Sequence, residues 1–293
     1  MLEKRSCLLC KSGDYKVVKA LNGCNFKECL NCGFIYLDPQ PDENAIQEFY
    51  PKEYFNSQHP QGYHDFIARK DDIINYRLKP IMELVNLLCS GKGKLLEVGC
   101  ALGYFLELAQ ASGWEAQGIE LSPWASAYAQ EETKVKVSSG KLEDIKFPDS
   151  YFDVIVMIEL IEHTQNPLLF LKEVERILKP DGMILLTTPN SKSIHHKIWK
   201  RKFQEMLFVP EEHLFLFSIP TIKRLLELSD LKPIHLETKT YLRRYYDYKI
   251  PQGWGRQIRG LCRRLMLKSI NNLNLGEMLL VAARKKETIG NIG

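Results

Sequence analysis

The stretch that decides the fold is KLLEVGCALGYFLELAQASG, residues 94–113. It reads as an apolar strand, a turn that contains Gly99 and Gly103, and a helix with apolar side chains on one face. Glycine lets the backbone approach a ligand closely where a strand passes into a helix. The turn does not match the fingerprint G-x-G-x-x-G, because Ala101 stands where the second glycine would be. It therefore predicts a ligand site without naming the ligand.

A second strand follows in WEAQGIELSP, residues 114–123, and it ends at Glu120. This carboxylate comes about twenty residues after the glycine turn, where an acidic side chain can accept hydrogen bonds from both hydroxyls of a ribose. The alternative is a solvated strand end. Ser122 and Pro123 suit the N-cap and the first position of the next helix.

The alternation of strands and helices continues along the chain. FDVIVMIEL reads as a buried strand, NPLLFLKEVERILKPDG as a capped helix with its stop, and MILLTTPN as another strand. Strands that alternate with helices of this length predict an α/β fold with a doubly wound, mostly parallel sheet. Ligands of such sheets bind at the carboxyl ends of the strands.

Cysteines are concentrated at the start of the chain, where five of the eight lie between Cys7 and Cys32. The spacing Cys7-x-x-Cys10 and Cys29-x-x-Cys32 favours a tetrahedral shell of four thiolates around structural Zn²⁺, with no open position for catalysis. Cys24 is a spare, and the alternative is a set of unrelated buried thiols. We expect a zinc ribbon over residues 1–41, a linker and helical cover over 42–90, and a catalytic domain over 91–293.

The motifs EVGCALG, GIELSP, GKLEDIKFPDSYFDVIVMIELIEH and LKPDGMILLTTPN, taken in that order, closely resemble those of the class I S-adenosylmethionine (SAM)-dependent methyltransferases. The cysteine segment and EEHLFLFSIPTIKRLLELSDL resemble a subgroup that carries a zinc-binding module. The resemblance implies a Rossmann-like sheet of seven strands, the last antiparallel. It also implies a set of SAM-binding residues: Glu97, Gly99, Cys100, Ala101, Gly103, Glu120, Leu121, Leu142, Glu143, Ile158 and Glu159. Lys141 departs from the family, which often has Asp at that position.

Catalytic candidates follow the fourth strand of the family pattern. Glu159, Glu162 and His163 form E-x-x-E-H, which is similar to the divalent-metal motif of ubiquinone-type O-methyltransferases and small-RNA 2′-O-methyltransferases, and His213 would be a fourth ligand of this second divalent metal. In the other interpretation Glu159 touches the cofactor, Glu162 caps a turn and His163 is a buried or general-base histidine. We prefer the second interpretation, because metal-free relatives also carry the Glu-His pair.

The charge distribution indicates where an anionic partner could bind. The net charge of +4 is too small to indicate nucleic-acid binding, but residues 240–268 hold eight Lys or Arg and one Asp, a local +7. This basic insertion, residues 240–275, and His195 with His196 could contact an anionic or nucleotide-linked acceptor.

Three functions remain open at this point. The leading one is C- or O-methylation of a small molecule, a sugar or sugar nucleotide ahead of a quinone-like or polyketide acceptor. The second is RNA methylation, and the third is a non-catalytic SAM-binding scaffold. We expect a cytoplasmic protein, since no apolar run is long enough for a signal peptide or for a membrane span of roughly 18 residues. The sequence does not predict the oligomeric state.

Overall fold

The computed structural model describes residues 6–21, 23–56, 65–194, 207–240 and 268–286. His195, His196 and most of the basic insertion lie outside the described residues. Within the described ranges no helix has both the length and the apolar character that a membrane span requires.

The strands and helices alternate through the larger part of the chain. The strands are β1 (Tyr15–Leu21), β2 (Cys24–Cys29), β3 (Ile35–Asp38), β4 (Lys94–Val98), β5 (Glu115–Glu120), β6 (Lys136–Ser139), β7 (Phe152–Ile158), β8 (Leu178–Pro189), β9 (Phe215–Leu216), β10 (Leu231–Lys239) and β11 (Met278–Lys285). The helices are α1 (Glu43–Glu48), α2 (Lys70–Ile73), α3 (Lys79–Leu88), α4 (Tyr104–Ala111), α5 (Pro123–Thr133), α6 (Pro167–Ile177) and α7 (Ile219–Leu228). Short 3₁₀ turns cover Lys52–Phe55 and Leu142–Asp144.

The main sheet has seven strands in the order β10-β11-β8-β7-β4-β5-β6. The strands from β8 to β6 run parallel, and β11 is antiparallel to both of its neighbours. The central strands β4 and β7 are mostly apolar and mostly buried, as expected for parallel strands with both faces of the sheet covered. The predicted fold, a doubly wound and mostly parallel seven-stranded sheet, is confirmed.

Helix caps agree with the sequence analysis, but one boundary does not. The hydroxyl of Ser122 accepts from the Ala125 N–H at 3.4 Å, and the Asn166 side chain accepts from the Leu169 N–H at 3.2 Å. The segment LKPDG, which we expected to be a helix stop, instead opens β8 at Leu178. Leu178 is fully buried and pairs with Phe152 before the register shifts, so apolar burial extends the strand towards the helix.

The helical segment that precedes the main sheet changes from a π-helical to an α-helical turn just before Pro80. A π-helical turn covers Ile74–Leu78, and α3 begins at Lys79 with Pro80 in its first turn. Proline is tolerated there because the first N–H groups of a helix have no partner within it. The break that the sequence predicts at Pro80 is therefore a change from π to α winding, and the π turn carries Arg77.

A second sheet joins the cysteine segment to the rest of the chain. Its strand order is β1-β2-β3-β9, and all pairs are antiparallel. The first three strands belong to the segment of residues 6–38, which we call the cysteine module, whereas β9 lies more than 170 residues later. Buried side chains of the module, including Phe26 and Phe34, share one core with side chains of the main sheet and its helices.

Candidate functional site

A cavity of about 1270 Å³ lies at the carboxyl ends of β4, β5 and β7. This is the edge where parallel α/β sheets bind their ligands. The cavity is lined on one side by the β4–α4 turn and on the other by residues 207–213. We call these the cofactor half and the acceptor half.

The β4–α4 turn forms the floor of the cofactor half. Gly99, Ala101 and Gly103 have φ angles of +73°, +47° and +76°, in the left-handed region. A Cβ at Gly99 would lie 3.0 Å from a methyl carbon of Leu160, so a larger residue would displace that side chain. Ala101 adopts the left-handed conformation without being glycine, a cost usually tolerated at functional sites.

Glu120, at the end of β5, is held by one backbone N–H group of the β4–α4 turn and by one at the start of α5. Its Oε2 accepts from Ala101 at 2.7 Å and its Oε1 from Ser122 at 2.9 Å. Burial raises the pKa of Glu120, and these hydrogen bonds oppose that rise. Each carboxylate oxygen can accept more than one hydrogen bond, so the group can also accept from a pair of hydroxyls.

Glu97 lies beside Glu120 and is 3% exposed. Its Oε2 atom has no hydrogen-bond partner in the part of the chain that the structure describes. Burial raises the pKa of Glu97 well above its usual value, the charge of Glu120 adds to this, and Arg77 opposes it. An orphaned acceptor in a cavity fits a ligand that brings its own donor, such as an ammonium group.

Arg77 is a cavity residue that the sequence analysis missed. It forms an ion pair with Glu159, and both side chains are less than a fifth exposed. A cation at this place suits an anionic end of the cofactor. Nothing in the local sequence distinguishes Arg77 from the other basic residues of the segment, because its position depends on the π turn.

The remaining predicted cofactor residues fall in two groups. Cys100, Leu121, Leu142, Glu143 and Ile158 line the cavity, with Leu142 buried in its 3₁₀ turn and Glu143 exposed. Gly103 is not part of the lining, and it packs against α5, where a Cβ would lie 3.0 Å from Ala129 and Thr133 side-chain atoms. Its part is therefore close packing of helices beneath the turn.

The acceptor half brings together Glu162, His163 and His213. One ligand atom from each lies within 4.8 Å of the others, an arrangement that could hold a metal ion. Glu162 is fully buried, and neither of its carboxylate oxygens has a hydrogen-bond partner among the described residues. Burial raises the pKa of Glu162 well above its ordinary value, and the charge of Glu159 adds to this.

Backbone carbonyls fix both imidazole rings. The Nδ1–H of His163 donates to the carbonyl oxygen of Glu212 at 2.6 Å, and that of His213 donates to Leu207 O at 2.9 Å. In its neutral form each ring therefore presents an unprotonated Nε2, and His163 Nε2 lies 3.8 Å from Glu162 Oε1. Burial lowers the pKa of His163, which favours the neutral ring. Metal-binding histidines are oriented in this way by their outer nitrogen.

Glu159 does not join this group. It has a φ angle of +49°, and its N–H donates to the carbonyl and the hydroxyl of Thr187 at 3.0 and 3.1 Å. The strained backbone and the ion pair with Arg77 place Glu159 at the cofactor half. Two residues of the motif E-x-x-E-H, Glu162 and His163, therefore lie together with His213, whereas Glu159 does not.

Aromatic and aliphatic side chains surround the acceptor half. The lining includes Tyr50, Tyr54, Phe66, Leu207 and Phe208. The Tyr54 hydroxyl donates to Glu212 Oε1 at 2.8 Å, and the Tyr50 hydroxyl lies 3.5 Å from His163 Nδ1. These residues come from the segment before the sheet and from the segment before β9, so both close over the strand ends.

The four predicted zinc ligands also converge. The Sγ atoms of Cys7 and Cys32 are 3.6 Å apart, those of Cys10 and Cys29 are 3.5 Å apart, and all four lie within 4.8 Å of one another. Tetrahedral Zn²⁺ with Zn–S bonds of about 2.3 Å requires edges of roughly 3.8 Å, so the residues fit this ion. Cys24 is not in the group.

Comparison with protein families gives one match. Residues 72–236, more than half of the chain, match the model of a family described as a methyltransferase domain. The matched range begins in α2 and ends in β10 and includes the glycine turn and the acceptor half.

Individual relatives are similar over part of their length. A protein of Mycolicibacterium smegmatis named as a probable SAM-dependent methyltransferase is 31% identical over 103 residues, 35% of this chain and 40% of that protein. The 2-methyl-6-phytyl-1,4-hydroquinone methyltransferase of Synechocystis is 27% identical over 200 residues, 64% of this chain and 62% of the relative. A ubiquinone biosynthesis O-methyltransferase of Rickettsia felis is 31% identical over 121 residues, 39% and 49% of the two chains. The match thus spans less than half of the first relative.

Solved structures share the fold at low sequence identity. A chain from the complex between the Haloferax volcanii Trm112 methyltransferase activator and its methyltransferase superposes with a TM-score of 0.57 at 18% identity, covering 76% of this chain and 95% of that one. Phosphoethanolamine N-methyltransferase 2 of Haemonchus contortus, solved with SAM, gives a TM-score of 0.56 at 14% identity, covering 86% and 62%.

Proposed function

The chain belongs to the methyltransferase domain family, and on that premise we propose that it transfers a methyl group from SAM to a hydroxyl oxygen of a small acceptor. The observation that carries the choice of oxygen is the convergence of Glu162, His163 and His213 at the acceptor half. A hydroxyl is a weak nucleophile until its proton is removed, and this group of residues is suited to that task.

The cofactor half provides contacts for each part of SAM. Glu120 would accept hydrogen bonds from the ribose hydroxyls, Glu97 and Arg77 would contact the charged amino-acid end, and Leu142 would pack on the adenine. SAM supplies the methyl group as a sulfonium electrophile when bound. The acidic side chains and the close turn would orient its methyl group towards the acceptor half.

A divalent cation fits the acceptor half. The buried Glu162 carboxyl without a partner and the two rings with free Nε2 atoms form the donor set that such ions prefer. A cation bound there would act as a Lewis acid that favours loss of the acceptor's hydroxyl proton. The Glu212 and Leu207 carbonyls keep both imidazoles in the liganding tautomer, and the surrounding side chains exclude water. This supports the metal interpretation over the one that we preferred from the sequence.

The lining favours an acceptor that joins a hydroxyl to an apolar body. Tyr50, Tyr54, Phe66 and Phe208 offer aromatic faces, which suit a planar or hydrocarbon substrate. Two relatives are named for a hydroquinone and for ubiquinone biosynthesis, which is compatible with such an acceptor. The sugar or sugar-nucleotide acceptor that we expected from the sequence stays a prediction, as does C-methylation.

The cysteine module is proposed to bind one structural Zn²⁺ through Cys7, Cys10, Cys29 and Cys32. Its small size supports this role, because a module of about 35 residues has too little core to fold without an ion or a partner surface.

The proposal of RNA methylation depends mainly on the basic insertion, most of which lies outside the described residues. A non-catalytic scaffold would not need a cavity lined by several buried polar groups, so the cavity favours an enzyme over a scaffold.

The experiment is a methyl-transfer assay with matched acceptors. Purified protein is stripped of weakly bound metal with a chelator, which leaves a tight zinc in place, and is given SAM with either a prenylated catechol or a sugar nucleotide. We expect S-adenosylhomocysteine to form with the catechol only after Mg²⁺ or Mn²⁺ is restored. Full turnover without a divalent cation would contradict the metal assignment, and turnover of the sugar nucleotide alone would contradict the acceptor.

A further inference from the structure

We infer that the cysteine module positions the acceptor half of the methyltransferase site, by fixing the segment of residues 207–216 that carries His213. This inference rests on the proposed function, because that function gives residues 207–216 their role in binding the acceptor and the cation. It assigns positioning roles to Phe34 and Phe26 of the module, neither of which lines the cavity itself.

Backbone pairing is the first link. Strand β9 pairs antiparallel with β3, with Ile35 opposite Leu216 and Tyr36 opposite Phe215. The Leu37 N–H also donates to Leu214 O at 2.9 Å. Strand β9 is the last strand of its sheet, so β3 is its sole sheet neighbour within the described ranges. A two-residue strand has few hydrogen bonds of its own. Pairing with β3 holds it on one side, and the parallel bridge between the adjoining Phe217 and Asn190 holds its end to the main domain, so the module is one of two supports that set its position.

The same segment is tied to the acceptor half on its other side. The N–H groups of Leu214 and Phe215 donate to the carbonyl oxygen of Glu162 at 2.9 and 3.2 Å. His213 immediately precedes Leu214, and its own N–H donates to Val209 O at 2.7 Å. A displacement of β9 would therefore move His213 and the peptide of Glu162 together.

Aromatic packing is the second link. The Phe34 ring stacks on Phe215 with centroids 5.4 Å apart and an angle of 8°, and it lies 5.3 Å from Phe217. Phe26 meets Phe208 edge to face at 5.0 Å, and Phe208 lines the cavity. Both Phe26 and Phe34 are fully buried. Side chains of the module thus pack against both the cavity wall, at Phe208, and strand β9, at Phe215.

A positioning role for the module can be distinguished from a general contribution to the stability of the chain. The cofactor half is built by β4, β5 and the β4–α4 turn, which lie in the other sheet. A fault in the contact between the module and β9 should therefore weaken the acceptor half and spare the cofactor half. A purely structural role would lower the stability of the whole chain without this division.

The test compares Phe34→Leu with Phe152→Leu in the full chain. Phe152 is also fully buried, and its ring contacts Phe147 and Tyr151 of the main domain. Three quantities are measured well below the melting temperature: amide hydrogen exchange of residues 207–217, Mn²⁺ affinity, and S-adenosylhomocysteine affinity. If Phe34→Leu does not fold, Phe26→Leu replaces it.

We expect Phe34→Leu to accelerate exchange in residues 207–217 on the order of tenfold and to weaken Mn²⁺ binding by about tenfold or more, with S-adenosylhomocysteine affinity within about twofold of wild type. Phe152→Leu should leave exchange in that segment and Mn²⁺ affinity unchanged. Equal acceleration in both variants, or unchanged exchange in Phe34→Leu, would overturn the inference. If wild-type protein binds no Mn²⁺, the metal assignment fails, and the exchange comparison alone decides the positioning role.

Discussion

The imidazole rings of His163 and His213 lie 5.1 Å apart, centroid to centroid, at an angle of 42°. The two residues are separated by fifty positions in sequence, and each ring donates its Nδ1 proton to a backbone carbonyl. Two rings held in this way beside a buried carboxyl form a donor set that could hold a cation next to an acceptor hydroxyl.

Removal of the carboxyl should abolish this region's chemistry. In Glu162→Gln we expect the catalytic rate to fall at least about a hundredfold, because a cation ligand is lost. Without divalent cations the melting temperature of the variant should equal or exceed that of wild type, since burial disfavours the ionisable carboxyl and the amide removes that cost. Added Mn²⁺ should raise the melting temperature of wild type only. The exposed Glu131→Gln serves as control, and an unimpaired Glu162→Gln enzyme would refute the role.

Cofactor affinity should depend on the carboxylate of Glu120. Glu120→Gln replaces a charged acceptor of two ribose hydrogen bonds by a weaker one, which costs about 3 kcal/mol, or roughly a hundredfold in affinity. Calorimetric titration with S-adenosylhomocysteine measures the change. The matched control is Glu132→Gln on the exposed face of α5, and equal affinity in both variants would exclude Glu120 from the site.

Binding of SAM should release a proton from Glu97. Burial and the charge of Glu120 raise the pKa of Glu97 in the free protein, whereas the ammonium group of SAM would favour its ionised form. Affinity should therefore increase as the pH rises from the pKa of the bound state to that of the free state. Titration in buffers of different ionisation enthalpy measures the proton released. Glu97→Gln should bind without proton release, and the same release in both proteins would contradict the assignment.

Zinc content should separate the two kinds of cysteine in the module. Cys29→Ser removes one sulfur of the converging group, so the protein should retain less than one zinc per chain and melt several degrees lower. Cys24→Ser leaves the group intact and should keep both the zinc and the melting temperature. Metal analysis with thermal denaturation provides the readout. Loss of zinc from Cys24→Ser, or its retention in Cys29→Ser, would show that the ligand set is different.

Much of the main sheet follows from local sequence. Strands β4, β7 and β8 each contain a run of apolar residues, and such runs between capped helices indicate buried parallel strands. The spacing from the glycine turn to Glu120 follows from the same geometry, because the strand order fixes which ends are adjacent. The cofactor half was predictable for this reason.

The acceptor half was only partly predictable, because long-range contacts build it. His213 reaches Glu162 through a two-residue strand that pairs with the cysteine module, and no local pattern encodes that pairing. Arg77 enters the cavity on a π turn whose position depends on packing ahead of Pro80. The early start of β8 at Leu178 likewise comes from its tertiary contact with Phe152.

The most direct measurement is the binding of Mn²⁺ to zinc-loaded protein, followed by electron paramagnetic resonance, in wild type and in His213→Ala. The account predicts one Mn²⁺ per wild-type chain, an affinity lower by at least about tenfold in His213→Ala, and loss of methyl transfer in parallel. Methyl transfer by a wild-type protein that binds no Mn²⁺, or a His213→Ala variant that binds and turns over as wild type does, would contradict it.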